Sequence, residues 1–369
     1  MKSTNRPTPK FDWFVPIDGD GKHIGTVTAE RPPNFEYLRQ VVQTAEDTGY
    51  YSLLIPTRFA NGLFEESAPL AETWTTSTAL AAVTKKIRFL VAVRPGFISP
   101  GMWAQMASAF SNISNGRLDI NIVPGGIQGD FERLGIRSNH TERYELASEF
   151  IEASKLLWED PKPIDYKGEV IELDQAMVSP SPIGSGPRWY LGGASENALN
   201  LAGLHADNLL MWIQPIAQIT ELMGRARKSF EENNRISEFG LRTHIIVRDT
   251  ESQAWEAAEE LLSKAASTVR QQRQVSFSGT AMVGQKAQSR SYEDHRVGKR
   301  LWNGISTVRV NCGTAIVGNP QQVANELIEY WRLGIDEFIL SGYPHLEEAK
   351  RVGETIVPLV KEMVTARKQ

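Results

Sequence analysis

The sequence predicts an α/β protein, a (β/α)8 TIM barrel with a long lid-like insertion before the eighth strand. Eight short apolar runs alternate along the chain with amphipathic segments, and this strand-then-helix order never changes. Most of the runs are continuously apolar, which is typical of strands buried in a parallel sheet. A doubly wound sheet, whose strands and helices also alternate, is the alternative architecture.

The elements of this pattern can be placed one by one. The predicted strands cover Phe11–Ile17, Tyr51–Pro56, Ile87–Val93, Leu118–Val123, Trp189–Gly192, Asn208–Ile213, Leu241–Val247 and Glu337–Ser341. The predicted helices cover Phe35–Thr48, Pro69–Val83, Pro100–Ser114, Thr141–Trp158, Asn197–Leu204, Ala217–Asn233, Glu251–Ala266 and Gln321–Leu333. Start signals support two of these helices, because Thr250 and Gln253 form a capping box and Asn319 precedes a proline.

Composition limits the class of protein. With 369 residues, 41% of them hydrophobic and 23% charged, the chain is too apolar for a disordered protein and suits a single barrel domain over residues 1–369. The net charge of −4 argues against a nucleic-acid partner, and the one cysteine, Cys312, excludes an intramolecular disulfide. No signal peptide, membrane-spanning run or metal-ligand spacing of histidines is recognisable. We therefore expect a soluble, cytoplasmic protein without a metal or a membrane partner.

One segment does not fit the repeating pattern. Residues 267–303 are polar, rich in Gln and Ser, and only weakly periodic. A stretch of this length inside a compact domain is usually either functional or disordered. Because it precedes the eighth strand, we interpret it as a mobile lid over the C-terminal face of the barrel. A disordered surface insertion is the alternative.

The seventh predicted strand carries two basic side chains. Arg242 and His244 are two residues apart and therefore point to the same face of the strand. Charge on a buried strand is costly unless a partner satisfies it. The sequence leaves two partners open, an anionic ligand and an acidic neighbour in an internal salt bridge.

Other polar and aromatic residues lie near strand ends, where barrel enzymes place their catalytic groups. Trp212 ends the sixth strand, Asn121 interrupts the fourth, Tyr343 and His345 follow the eighth, and Arg309 precedes it. Taken singly, the indole or the phenol also fits a place in the core. Together with the seventh strand, these residues suit a strong-acid anion such as a sulfonate or a phosphate.

A glycine-rich turn provides a second candidate site. The sequence Gly-Gly-Ala-Ser, which contains Gly193 and Ser195, follows the fifth predicted strand and opens a helix, so its amides suit a phosphate group. Tyr144, near the start of the predicted helix Thr141–Trp158, offers a hydroxyl. The chain has no G-x-G-x-x-G fingerprint in a strand-to-helix turn, which argues against tight NAD(P)H binding.

Several segments along almost the entire chain are familiar when they are taken together. FDWFVPIDGDGKHIGT, SNGRLDINIVPGG, HTERYE, RTHIIVR, GTAIVGNP and SGYPHLEEA resemble the flavin-dependent alkanesulfonate monooxygenases of the bacterial luciferase-like family. The resemblance implies a (β/α)8 barrel that forms a homodimer or homotetramer. It also implies reduced FMN supplied by a separate NAD(P)H-dependent flavin reductase, with O2 as co-substrate. The implied reaction cleaves the C–S bond of a small organosulfonate to give sulfite and an aldehyde.

The resemblance also implies roles for residues that match the family's motifs. The substrate-binding set is Trp212, Arg242, His244, Arg309, Tyr343 and His345, of which Arg242, His244, Tyr343 and His345 are also the implied catalytic residues. The implied cofactor-binding residues are Asn121, Tyr144, Gly193 and Ser195.

The chain departs from the family pattern near the mouth of the predicted pocket. The loop after the second strand is longer and lacks the family's cysteine, since Ile55–Asn61 reads Ile-Pro-Thr-Arg-Phe-Ala-Asn, and Asp18 replaces a histidine. The C-terminal extension of many relatives is nearly absent. These departures predict a bulkier, hydroxylated substrate, with the sulfo-sugar sulfoquinovose as the leading candidate.

Other functions stay open at this point. A simple alkanesulfonate or a sulfone is an alternative substrate for the same chemistry. A flavin- or deazaflavin-dependent dehydrogenase on the same barrel would transfer hydride without oxygen. A non-catalytic anion-binding barrel would bind its ligand without turnover.

Overall fold

The computed structural model describes residues 6–125, 130–278 and 283–366. Its strands are β1 (Lys10–Phe14), β2 (Ser52–Ile55), β3 (Arg88–Val93), β4 (Leu118–Ile122), β5 (Ile164–Lys167), β6 (Glu172–Ala176), β7 (Trp189–Gly192), β8 (Asn208–Trp212), β9 (Glu238–Val247), β10 (Leu301–Trp302), β11 (Ala315–Gly318) and β12 (Glu337–Ser341). Parallel pairing runs in the order β1-β2-β3-β4-β7-β8-β9-β12, and β12 pairs with β1 to close a barrel of eight strands. The predicted (β/α)8 barrel is confirmed, and the doubly wound alternative is wrong.

Helices surround the barrel. They are α1 (Phe35–Asp47), α2 (Thr73–Ala82), α3 (Pro100–Ile113), α4 (Asp130–Arg133), α5 (His140–Glu159), α6 (Glu196–His205), α7 (Ile216–Glu232), α8 (Glu251–Leu261), α9 (Ser267–Ser278), α10 (Val283–Gln288), α11 (Pro320–Leu333) and α12 (His345–Ala366). The predicted caps are present, because the Thr250 hydroxyl accepts from the Gln253 amide and Asn319 caps α11. None of the described helices is long and apolar enough to cross a membrane.

Alternation along the strands separates two apolar layers. Phe11 and Trp13 of β1 point outward into the large core between the strands and the helices. Phe14 points inward and belongs to a small cluster inside the barrel. The other members of that cluster are Leu54, Leu90, Tyr190, Leu210 and Ile339. This cluster fills the barrel and forms a floor on which a site at the C-terminal ends of the strands can rest.

The insertion differs from the sequence-based expectation. The predicted lid at 267–303 was expected to lack regular structure, but it contains α9, α10 and β10; its residues 279–282 lie outside the described part of the chain. The weak periodicity has a physical reason, since Val269 and Arg273 are the buried members among the described side chains of α9. Whether the segment moves stays a prediction.

Three further features were not predicted, and the first is α12, the long helix that follows β12. β5 and β6 form an antiparallel hairpin whose side chains are all at least partly exposed, so the sequence offers no apolar run there. β11 pairs in parallel with the end of β9 at His244–Val247, beside the barrel. This pairing places the loop before β11 next to the upper part of β9.

Candidate active site

A cavity of about 450 Å³ lies at the C-terminal ends of the barrel strands. Small-molecule sites commonly have volumes of roughly 300–1,000 Å³. The polar and charged part of its wall includes Arg58, Arg94, Asn121, His140, Arg143, Tyr144, Ser195, Trp212, Arg242, Arg309 and Asn311. Val283 and Gly284 of α10 belong to the wall as well, so the insertion covers part of this face.

Two buried guanidinium groups lie at the inner end of the cavity. The Cζ atoms of Arg242 and Arg309 are 4.4 and 5.0 Å from the ring centroid of Phe14. Nη1 of Arg242 donates to the Thr243 carbonyl oxygen at 2.7 Å, whereas its Nη2 and the Nε of Arg309 are buried without a partner among the described residues. Both side chains therefore retain donors for a ligand.

The charge of Arg242 has no carboxylate partner in the described part of the chain. Burial lowers the pKa of Arg242 to about 10, and the neighbouring charges of Arg309 and Arg58 act in the same direction. A group with that pKa is still protonated at neutral pH. The structure therefore does not support the internal salt bridge as the partner of Arg242, and the anionic ligand remains.

Trp212 and Asn121 lie on the cavity wall. Trp212 ends β8 and is half-buried beneath α10, where a Cβ at Gly284 would lie 3.1 Å from the indole. Glycine at 284 therefore allows the helix to approach the ring. Asn121 on β4 lines the cavity with a buried Oδ1 that has no partner among the described residues.

Three of the predicted site residues lie behind the wall. His244, Tyr343 and His345 are buried and are absent from the lining of the cavity. The His244 and Tyr343 rings stack at 5.5 Å, and the Tyr343 hydroxyl accepts from Nη1 of Arg309 at 2.8 Å. The contact of this group with the cavity is indirect, through the hydrogen bond between Tyr343 and Arg309. The assignment of the three residues to substrate binding and catalysis stays a prediction.

Both ring nitrogens of His244 are used within the protein. Nε2 lies 3.0 Å from the carbonyl oxygen of Cys312, and Nδ1 lies 2.7 Å from Oγ of Ser341. Burial and the charge of Arg242 lower the pKa of His244 well below its ordinary value. The ring is therefore neutral, with Nε2 donating to the carbonyl and Nδ1 accepting from the hydroxyl.

His345 is held by a buried carboxylate. Nδ1 of His345 lies 3.1 Å from Oδ1 of Asp20, and the His345 amide donates to Oδ2 of the same carboxylate at 2.6 Å. The Tyr37 hydroxyl also donates to Asp20. Burial lowers the pKa of His345, although Asp20 opposes this. The proton therefore lies on Nδ1, and Nε2 is a buried acceptor without a partner among the described residues.

The predicted phosphate site lies at the outer end of the cavity. Ser195 is the N-cap of α6, and its Oγ lies 3.4 Å from the Tyr144 hydroxyl. A Cβ at position 193 would lie 2.4 Å from that of Ala198, so Gly193 allows the turn to pack against the first turn of α6. Arg143 also lines this end, with a buried Nε that has no partner in the described chain.

Sequence reasoning missed two buried ion pairs in the wall. Nε of Arg58 lies 2.9 Å from Oδ2 of Asp18, and Nη1 of Arg94 lies 2.7 Å from Oδ2 of Asp130. A signal was available, because Arg58 lies two residues after the second predicted strand and Arg94 directly follows the third, at the end where barrel sites lie. Arg143, which adjoins Tyr144, was missed as well.

The comparison with protein families decides the class of this barrel. The profile of the family described as Luciferase-like monooxygenase matches residues 10–337. The chain belongs to this family. It is therefore an enzyme, a flavin-dependent monooxygenase of the luciferase-like type, and the resemblance noted from the sequence is confirmed at this level.

Solved structures share the fold of this luciferase-like monooxygenase. The long-chain alkane monooxygenase LadA matches with a TM-score of 0.79 and 18% identity, over 97% of this chain and 92% of that one. Riboflavin lyase RcaE, solved with modified FMN and riboflavin, matches with a TM-score of 0.78 and 18% identity, over 97% of this chain and 92% of that one. An F420-dependent secondary alcohol dehydrogenase matches with a TM-score of 0.68 and 17% identity, over 96% of this chain and 99% of that one. At these identities the likeness concerns the fold alone.

Proposed function

We propose that this chain is the oxygenase component of a two-component system that uses reduced FMN and O2 to cleave the C–S bond of an organosulfonate. The observation that carries the proposal is the pair Arg242 and Arg309, whose buried guanidinium groups lie over Phe14 without a carboxylate partner among the described residues. A sulfonate offers three oxygens and one negative charge, so it satisfies donors and charge together.

The reaction has a simple balance. One atom of O2 goes to the carbon that loses sulfur, and the other leaves as water. The products are sulfite, an aldehyde and oxidised FMN. Reduced FMN, when bound, supplies the two electrons that this oxygen chemistry needs.

The outer end of the cavity fits the FMN phosphate. The first amides of α6, the hydroxyls of Ser195 and Tyr144 and the guanidinium of Arg143 form a donor set suited to a dianion. The unmatched Nε of Arg143 is an independent sign of a missing acceptor. Asn121 lies on the wall deeper in the barrel, where its amide suits the ring system of a flavin.

The residues behind the wall supply proton chemistry in this proposal. Burial raises the pKa of Tyr343, so its hydroxyl is protonated at neutral pH and has a proton to donate while it accepts from Arg309. The neutral Nε2 of His345 is available as an acceptor, with the ring oriented by Asp20. His244 holds the Tyr343 ring in place by stacking. Closure by α10 over Trp212 keeps water out of the site.

The partners of this enzyme follow from the same proposal. An NAD(P)H-dependent flavin reductase delivers the reduced flavin in a transient encounter, because the chain has no dinucleotide fingerprint of its own. A homodimer or homotetramer and a cytoplasmic location stay predictions.

Sulfoquinovose is the leading substrate, and a linear alkanesulfonate is the second candidate. The second candidate is favoured by the apolar part of the wall, which includes Leu54, Phe131, Leu210, Met211 and Leu222. The sulfo-sugar is favoured by the number of guanidinium and amide donors in the same cavity.

Sulfite release under air tests the proposal. The assay contains a flavin reductase, FMN and NADH, with sulfoquinovose compared against C1 to C10 alkanesulfonates. Sulfite from the sulfo-sugar alone supports the full proposal, and sulfite from alkanesulfonates alone keeps the reaction but changes the substrate. No sulfite from any of them, in a protein that binds FMN, overturns the proposal in favour of sulfone oxidation or hydride transfer.

A further inference from the structure

We infer that Arg58, held by Asp18, is a specificity-determining residue that binds an uncharged oxygen of the substrate. The substrate class is then an organosulfonate whose carbon body carries hydroxyl or carbonyl groups. This inference rests on the proposed function and deepens it.

Two separate loops meet in one ion pair. Asp18 follows the first predicted strand, and Arg58 lies in the loop after the second. In the structure Nε of Arg58 donates to Oδ2 of Asp18 at 2.9 Å, and their side chains are 1% and 2% exposed. Residues 40 positions apart in the sequence therefore form a single feature at the cavity.

The surrounding loop is built to hold this pair. Oδ1 of Asp18 accepts from the Gly62 amide at 3.0 Å, and a Cβ at position 62 would lie 2.7 Å from Nη1 of Arg58. Glycine at 62 therefore leaves room for the guanidinium. Asn61 fixes the loop, because its Nδ2 donates to the carbonyl oxygens of Asp18 and Pro69 at 2.7 and 3.0 Å.

Arg58 keeps most of its hydrogen-bonding capacity. Arg58 lines the cavity, and its Nη1 and Nη2 are both buried without a partner among the described residues. Four N–H bonds are thus unmatched, and unmatched buried donors are costly. An oxygen acceptor on a bound substrate would satisfy them.

Charge decides which kind of oxygen each guanidinium binds. Asp18 balances Arg58, whereas Arg242 and Arg309 have no carboxylate partner in the described chain. The anionic headgroup is therefore drawn to Arg242 and Arg309. A second anion at Arg58 would meet the nearby Asp18 carboxylate, so an uncharged hydroxyl or carbonyl oxygen fits better there. An unsubstituted alkyl chain would leave the Arg58 donors unmatched.

The test compares two six-carbon sulfonates, sulfoquinovose and 1-hexanesulfonate, in the intact enzyme with its reductase. Arg58→Met keeps an unbranched side chain at this position and removes all of its donors. We expect KM for sulfoquinovose to rise by roughly ten- to hundredfold, as for the loss of hydrogen bonds to a charged group, with KM for hexanesulfonate unchanged. Arg133→Met is the matched control, because Arg133 forms an exposed ion pair with Glu66. Equal changes for both substrates, or none, overturn the inference.

A binding titration separates this inference from the proposed function. If the wild type releases no sulfite from either compound, the proposed function is wrong. Calorimetric titration of both sulfonates into the FMN-loaded protein then decides. A preference for sulfoquinovose that Arg58→Met abolishes supports the inference, and equal affinities overturn it. If Arg58→Met fails to fold, Arg58→Lys replaces it in both assays, since it keeps the charge beside Asp18 but loses the two Nη groups.

Discussion

At the scale of single residues, the partner of each guanidinium determines what it can do. Arg58 and Arg94 are balanced by Asp18 and Asp130 and shape the wall. Arg242 is buried to the same degree, but its contacts are a backbone carbonyl and the face of Phe14. A buried cation without a carboxylate is expensive unless a ligand arrives. Arg242 therefore carries the strongest prediction for ligand binding.

Replacing Arg242 by alanine should remove sulfite release while leaving flavin binding intact. Removal of one partner from a buried charge pair costs about 2–5 kcal/mol, so kcat/KM should fall by at least about thirtyfold. The sulfite assay and FMN titration together check this. Arg225→Ala is the control, because Arg225 forms an exposed ion pair with Glu196. Normal turnover in Arg242→Ala would contradict the assignment.

A second residue, Tyr144, tests the phosphate end of the cavity. Tyr144→Phe removes the hydroxyl that lies 3.4 Å from Oγ of Ser195. A neutral hydrogen bond contributes about 0.5–1.5 kcal/mol, so Kd for FMN should rise by roughly two- to tenfold. KM for the sulfonate should not change, since the proposed phosphate site is at the opposite end. Quenching of FMN fluorescence measures the affinity.

Tyr166→Phe is the matched control for this change, because Tyr166 lies on the surface hairpin and its hydroxyl donates to Glu152 of α5. If Tyr144→Phe alters the sulfonate KM and leaves Kd for FMN unchanged, the two ends of the cavity have been assigned in the wrong order.

The sequence predicts which residues line the cavity better than it predicts which side chains contact each other. Arg242, Trp212 and Asn121 could be placed on the wall because a strand's period fixes the face of each side chain. The burial of His244 behind that wall could not be predicted, since it depends on Cys312 and Ser341, which come from two other segments. The Asp18–Arg58 pair joins two loops, and neither loop alone carries a signal for the other.

At the scale of elements, two glutamines hold α10 to the barrel, and Gln288 makes most of the contacts. Nε2 of Gln288 donates to the Ile213 carbonyl oxygen at 2.8 Å. Its Oε1 accepts from the Gly313 amide at 3.0 Å and from the Thr314 hydroxyl at 2.7 Å. Gln285 on the same helix accepts from the Asn311 amide at 2.7 Å. These contacts join α10 to the end of β8 and to the loop before β11, which carries Arg309.

Gln288→Ala should therefore weaken the closure of the cavity. Three buried groups lose their partner at once, so the closed position of α10 becomes less favourable. We expect water to enter and the yield of sulfite per NADH consumed to fall several-fold, with FMN affinity unchanged. Gln321→Ala is the control, because Gln321 is exposed on α11. An unchanged sulfite yield would show that α10 does not act as a lid.

The elements themselves follow closely from the sequence. The eight barrel strands and the eight predicted helices are present, with ends that differ by at most five residues. Long amphipathic or buried segments such as α1 and β3 carry a strong periodic signal. Helix α9 has only a weak periodic signal, because its buried face is narrow. Strands β5 and β6 have none, because a two-stranded surface hairpin buries little of either face.

At the scale of the whole molecule, the two ends of the barrel bury different ionisable groups. The C-terminal end holds the arginines of the cavity, and the N-terminal end holds the buried carboxyl groups of Asp12 and Glu337. The Tyr190 hydroxyl donates to Glu337 at 3.1 Å, and the carboxyl groups of Asp12 and Glu337 are hydrogen-bonded to each other. The cavity lies at the C-terminal end of the barrel. Substitutions of Asp12 or Glu337 can therefore change the stability of the protein without altering the site.

Replacing Asp12 by asparagine should stabilise the protein at neutral and higher pH. Burial, and then the charge of Glu337, raise the pKa of Asp12 well above its ordinary value. The folded state therefore holds a proton that the unfolded chain releases near pH 4. As pH rises from there toward the pKa of Asp12 in the folded protein, the free energy of unfolding decreases. Asparagine does not ionise, so the variant avoids this decrease. We expect a melting temperature roughly 2–4 °C above that of the wild type at pH 8, with a smaller difference at pH 5.

Calorimetry at several pH values measures this difference directly. Asp174→Asn is the control, because Asp174 is exposed on the hairpin, and its melting temperature should follow that of the wild type at every pH. Sulfite release by Asp12→Asn should equal that of the wild type, since the floor of the barrel separates Asp12 from the cavity. A lower melting temperature for Asp12→Asn at all pH values would mean that a proton shared between Asp12 and Glu337 stabilises the barrel, and the predicted sign would be wrong.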